Sequence, residues 1–141
     1  AYRRQRQMCI RDSLKKDPAI LNAAYNDAAG VTAAFNLNLL ARCNRELGAD
    51  FDLGAFAHRA FYNAAAGRIE MHLDSLRAQT VRLAGQAFEF TVGESIHTEN
   101  SYKYRADEFR HLATQAGFEP RRTWIDAAEL FSVHVLQKPA D

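Results

Sequence analysis

The sequence predicts a mixed α/β fold: two N-terminal helices, an antiparallel sheet, then one helix and two closing strands. Three observations carry this. Apolar residues recur at helical spacing between residues 17 and 48. The period changes to two from Phe56 onward. Helical spacing returns once, from about Ala106, before two last alternating runs.

The stretch Ala1 to Ser13 has four arginines, no periodicity and no cap signal. Its QRQMCIRDS portion resembles translated sequencing-adapter sequence, so it is set apart as non-native. Regular structure is expected from near Asp17. Asp17-Pro18 is a helix start, since Asp caps and Pro suits the first helical position. Ile20, Leu21, Ala24, Tyr25 and Ala28 then share one face, and Gly30 breaks the run. A second helix carries Val31, Phe35, Leu39, Cys43 and Leu47 as an apolar i, i+4 stripe, closed by Gly48.

Residues 56–63 and 68–76 read as strands around Gly67. Residues 80–83 and 87–92 form a hairpin about Ala84-Gly85-Gln86, with apolar and polar residues alternating as in a sheet with one wet face. A strand over 95–104 follows, then a helix from Ala106 to Gly117, and strands over 118–125 and 131–137. No repeat, low-complexity stretch or Pro/Gly-rich linker interrupts the chain.

With Ala1 to Ser13 removed, Lys+Arg falls from 18 to 14 and Asp+Glu from 17 to 16, so net charge moves from +1 to −2. A nucleic-acid partner would need a basic excess, and only those thirteen residues supply one. No apolar run approaches the ~20 residues that span a bilayer. No signal core is visible, so the expected location is cytoplasmic, with no membrane partner. Cys9 and Cys43 fit no disulfide or zinc spacing. The five histidines form no His-x-x-x-His pair, so no metal site is expected.

The chemistry concentrates in residues 95–104. His97, Glu99, Ser101 and Lys103 alternate with Thr98, Asn100, Tyr102 and Tyr104, so neither face is apolar. Burying such a strand unpaired costs a few kcal/mol per group. It must be an exposed edge or the wall of a polar cleft. Glu99 and Ser101 point the same way about 6.5–7 Å apart along the strand. Together they suit a small ring with two nitrogens: the carboxylate accepts an N–H, and the hydroxyl donates or accepts. Tyr25 offers a phenol from a helix that could close over such a pocket. On pattern alone Tyr25 and Met71 also read as core, Glu70 and Lys103 as solvated, and Trp124 as packing. There is no nucleophilic triad, P-loop or G-x-G-x-x-G turn.

Residues 25–52 (YNDAAGVTAAFNLNLLARCNRELGADFD), 68–73 (RIEMHL) and 98–104 (TENSYKY) closely resemble the histidine Nα-methyltransferase family of ergothioneine biosynthesis. The resemblance runs from about Leu14 to Lys138, and LATQAGFEP (112–120) looks like the end of a class I methyltransferase sheet. It implies a Rossmann-like domain binding S-adenosylmethionine, with a substrate domain inserted before the last helix and strands. On that plan residues 14–24 end the methyltransferase domain, 25–104 form the substrate-binding domain, and 105–141 return to the first domain. The cofactor-binding residues would lie in an absent N-terminal half, making this a C-terminal fragment that is inactive alone. The apolar faces of the returning elements, among them Phe109, Leu112, Phe131, Val133 and Val135, are then expected to be partly exposed.

By the same resemblance Glu99 and Ser101 bind the imidazole of L-histidine, Tyr25 its carboxylate, and Met71 lines the ring pocket. The implied enzyme methylates the α-amino group in three steps, to histidine betaine; separately from the resemblance, the chain is expected to be a monomer. No catalytic base is identified. Two readings compete: a methyltransferase acting on another amino acid such as tryptophan, whose single N–H has no use for both Glu99 and Ser101, and a non-catalytic binding module.

Overall fold

The computed structural model describes residues 7–139. The chain divides into two compact units, one formed by Pro18–Ser101 and the other by the segments on either side of it. The fold is mixed α/β with antiparallel sheets, as the patterning indicates.

The first unit opens with α1 (Pro18–Tyr25) and α2 (Val31–Leu47). Gly30 sits between them at φ 72°, in left-handed backbone where a side chain would be strained. The cap of α2 comes from Asp27, whose carboxylate accepts the backbone N–H groups of Val31 and Thr32, both at 2.9 Å. These bonds hold the Asp27 carboxyl down at about 2. At the other end, Gly48 adopts φ 65° and its N–H returns to the Cys43 carbonyl, closing the helix.

A short 3₁₀ turn, Leu53–Ala55, leads into β2 (Phe56–Asn63) and β3 (Arg68–Ser75). These pair antiparallel from Phe56↔Ser75 to Asn63↔Arg68. A third strand, β6 (Ser95–Tyr102), completes the sheet in the order β2-β3-β6. The hairpin β4 (Gln79–Leu83) and β5 (Gln86–Phe90) stands apart as a two-stranded ribbon. Both helices pack on this sheet, α1 on β2 and α2 on β2 and β3. One core cluster joins Leu21 to Ala60, Ile69 and Met71; a second joins Leu40 to Ala55, Phe56 and Leu73.

In the second unit β1 (Gln7–Ser13), β8 (Phe131–Gln137) and β7 (Glu119–Ile125) form an antiparallel sheet in the order β1-β8-β7. The helix α3 (Ala106–Gln115) packs on β7. Leu112 is exposed, while Phe109, Phe131, Val133 and Val135 are half-buried. His134, Ser132 and Leu136 line the covered face of β8, and Ser132 bonds the His134 ring at 2.8 Å.

Four expectations are corrected. Structure begins before Asp17: β1 covers Gln7–Ser13, and an antiparallel neighbour rather than amphipathic periodicity orders it. The α2 stripe does not face the core. Val31 and Phe35 are 68% and 66% exposed, whereas Asn36 and Leu40 are buried. An asparagine can occupy that face because its amide is satisfied there. Glu70 and Lys103 are buried rather than solvated, Lys103 at 3% exposure. Glu70 is tolerated because Arg68, Asn63 and His72 bond its carboxylate. Trp124 is 47% exposed with the Arg122 guanidinium over its ring, so cation–π contact takes the place of packing.

Candidate functional site

A cleft of about 160 Å³ opens between α2 and the sheet. Met71 and Glu99 line it from β3 and β6. From α2 come Phe35, Asn36, Asn38 and Leu39. The residues exposed on the α2 stripe thus include two that wall a cavity, which explains why an apolar stripe remains partly uncovered.

Each side chain is placed by its element. Met71 alternates with Glu70 and His72 on β3 and is 2% exposed, in one cluster with Leu21, Ala60 and Ile69; Tyr25 packs on that cluster from the last turn of α1. The Tyr25 hydroxyl meets Ser101 Oγ at 2.8 Å, tying α1 to β6. Thr98 Oγ1 donates to the Met71 carbonyl at 2.9 Å, tying β6 to β3. The end of α1 is fixed a second way: Asn36 Nδ2 donates to the His72 carbonyl (3.0 Å) and to His58 Nδ1 (3.0 Å), and His58 Nε2 donates to the Tyr25 carbonyl (2.8 Å). The tautomer of His58 follows, since a carbonyl can only accept.

The structure places the four sequence-derived residues in two adjoining pairs. Met71 and Glu99 line the cleft. Tyr25 and Ser101 bond each other beside it, with Tyr25 packed on the cluster that contains Met71.

The alternation of β6 differs from the sequence reading. Ile96 packs into the core with Leu73, and His97 stacks on His72 from the other face. Two residues on, Glu99 lines the cleft with Met71, and Ser101 reaches Tyr25 on the helix side. His97 and Glu99 therefore lie on opposite faces, and the strand changes phase between them, as at a bulge. This re-aims Glu99 toward the cleft.

Electrostatically the cleft is defined by one carboxylate. Arg42 lies at its edge but is held by Glu46 through two bonds of 3.1 Å, which raise the Arg42 pKa and lower that of Glu46. Glu99 is half-buried, and among the described residues no hydrogen bond or ion pair engages its carboxylate. The cleft can therefore accept an N–H donor at Glu99 against a thioether and aromatic wall.

The residues missed from sequence are Phe35, Asn36, Asn38, Leu39 and Thr98. A signal for two of them existed in the α2 stripe, but periodicity cannot tell a core face from a cleft face.

The sequence model of the family described as "Histidine-specific methyltransferase, SAM-dependent" matches residues 3–138. Over 122 residues the chain is 48% identical to the histidine N-alpha-methyltransferase of Mycolicibacterium smegmatis, covering 85% of this chain and 38% of that protein. The protein of the same name from Mycobacterium tuberculosis is 43% identical over 127 residues, covering 89% of this chain and 40% of its own length. The chain thus spans about two fifths of these relatives' length.

Proposed function

The chain belongs to the SAM-dependent, histidine-specific methyltransferase family, and from that premise we propose that its α2–sheet cleft receives L-histidine for methylation of the α-amino group. The observation that carries this reading is Glu99: a half-buried carboxylate, unengaged among the described residues, set beside Met71 in a small cleft. Glu99 accepts an imidazole N–H. Ser101, already bonded to Tyr25, supplies the hydroxyl for the second nitrogen. Tyr25 turns toward the substrate carboxylate, and Met71 with Phe35 and Leu39 packs the ring. Selection then follows from pairing. A side chain without an N–H leaves a desolvated carboxylate unpartnered, which costs about 1–3 kcal/mol or more for a charge.

The family's cofactor, S-adenosylmethionine, supplies the methyl group together with its leaving group. The described residues contain no glycine-rich strand-to-helix turn to cradle it, so we assign its binding to sequence outside them. On this reading Pro18–Ser101 is the substrate-binding unit, and the flanking unit belongs with the cofactor-binding domain. What the described residues contribute is orientation of the amino acid, holding the amine where its neutral lone pair can be aligned. No helix of the described residues is long and apolar enough to cross a membrane.

The test is a titration of the 15N-labelled chain with L-histidine and, separately, L-tryptophan, followed by amide chemical shifts. Histidine is expected to bind weakly and to move the amides of Met71, Glu99 and Ser101, with tryptophan moving them far less. Glu99→Ala should abolish the histidine response. Equal responses to both amino acids, or histidine shifts confined to other segments, would overturn the assignment.

A further inference from the structure

We propose that Glu70, His72 and His97 form an open three-ligand site for a divalent transition-metal ion such as zinc. It lies on the face of the β2-β3-β6 sheet opposite Met71, and rests on nothing assumed about the amino-acid substrate.

One carboxylate oxygen and two ring nitrogens lie within 4.8 Å of one another. Glu70 Oε2 and His72 Nε2 are 3.4 Å apart. Bonds of about 2.0–2.1 Å to a tetrahedral ion set neighbouring ligand atoms roughly 3.3–3.4 Å apart, so this edge already has the required length.

The hydrogen-bond network decides which atoms face the site. Ser95 Oγ, a hydroxyl oxygen that can accept the Nδ1–H of a ligating imidazole, lies 2.7 Å from His72 Nδ1. Nε2 is then the ring nitrogen turned toward Glu70 Oε2, 3.4 Å away. The other carboxylate oxygen, Oε1, takes Asn63 Nδ2 (3.0 Å) and Arg68 Nε (2.9 Å), so Oε2 is the oxygen presented to His72. A divalent cation can take the place of the proton between Nε2 and Oε2, with both atoms as ligands.

The third ligand arrives by stacking. His97 lies on the His72 ring at 4.4 Å between centroids, and Phe61 covers the other ring face at 5.4 Å. His97 Nε2 lies 3.2 Å from the Glu99 carbonyl and donates to it, so Nδ1 holds the lone pair. Ordered outer partners on both imidazoles are what ligating histidines ordinarily carry. His97 is exposed, so the ion has an entry path and keeps a coordination position for water. The positive charges nearby are paired: Arg59 with Asp74, and Arg68 with Glu70 itself. A donor set of two imidazoles and one carboxylate favours zinc, nickel or copper over magnesium.

The experiment is calorimetric titration of the untagged 141-residue chain with zinc chloride and, separately, magnesium chloride. The expected result is one zinc per chain with no magnesium response. His97→Ala should weaken zinc binding at least tenfold with an unchanged circular dichroism spectrum. Should that variant lose structure, Glu70→Gln replaces it under the same criterion. Absence of zinc binding, equal binding of magnesium, or unchanged zinc affinity in the folded variant overturns the proposal; unchanged affinity would assign the ion to Cys9, Cys43 or the remaining histidines.

Discussion

The bond between Tyr25 and Ser101 joins a helix to a strand 76 residues away, and its contribution can be isolated. Tyr25→Phe removes the hydroxyl but keeps the ring against Leu21, Ala60, Ile69 and Met71. Ser101→Ala removes the other partner. At 2.8 Å the bond is well formed but neutral, and both residues are half-buried, so water partly replaces a lost partner. A net contribution of about 1 kcal/mol follows, within the range of 0.5–1.5 for such bonds. That is roughly a fivefold change in the folding equilibrium. Each single variant should therefore lose about 1 kcal/mol, and the double variant about the same rather than twice as much. The coupling energy of the cycle is then about 1 kcal/mol. Urea unfolding of the four proteins, followed by far-ultraviolet circular dichroism, measures it. Strictly additive losses would show that the two hydroxyls act independently, and the tie between α1 and β6 would have to be assigned elsewhere.

Other expectations follow from the same geometry. Leu73→Ala empties the centre of the Leu40, Ala55 and Phe56 cluster and should cost about 2–5 kcal/mol in urea unfolding; a loss under about 1 kcal/mol would mean that this core is loosely packed. Ala84 and Gly85 turn the β4–β5 hairpin at φ 49° and 79°, a two-residue turn with both angles positive. Ala84→Asn should raise the thermal midpoint slightly, by relief of about 0.5–1 kcal/mol of left-handed strain, and a lowered midpoint would contradict the turn assignment. The Asp27 carboxyl, depressed from 3.8 to about 2 by its bonds to Val31 and Thr32, supports the start of α2 only while ionised. Its folded pKa lies below its unfolded one, so that support is full above 3.8 and drains away as pH falls through about 2. Asp27→Ala should be less helical than the parent chain at neutral pH, and the difference should close on acidification through that window.

Local patterning determined the secondary structure. Apart from α1, which ends at Tyr25 where the apolar spacing ran on to Ala28, and the short 3₁₀ turn, the helices and strands from Asp17 onward were legible within one or two residues, because period, glycine caps and the Asp17-Pro18 start are properties of neighbouring residues. The candidate site was legible in part. Glu99 and Ser101 stood out because a strand polar on both faces is costly to bury, and Tyr25 as a phenol near them, while the proposed contact of Tyr25 with the substrate carboxylate and of Met71 with the ring came from resemblance. Pattern alone could not place them, since Met71 is at once core and cleft wall.

What only the tertiary structure decided concerns residues far apart in the chain. The strand β1 exists through its pairing with β8, so nothing local announced it. The side of α2 that packs on the sheet is the one bearing Asn36, because β2 and β3 supply that amide with an imidazole and a carbonyl. The change of phase in β6 turns His97 away from Glu99 and onto His72, assembling Glu70, His72 and His97 across two strands. Sequence spacing fixes which residues share a face only while a strand keeps strict alternation. Where it slips by one residue, the partner strand decides which side chains meet.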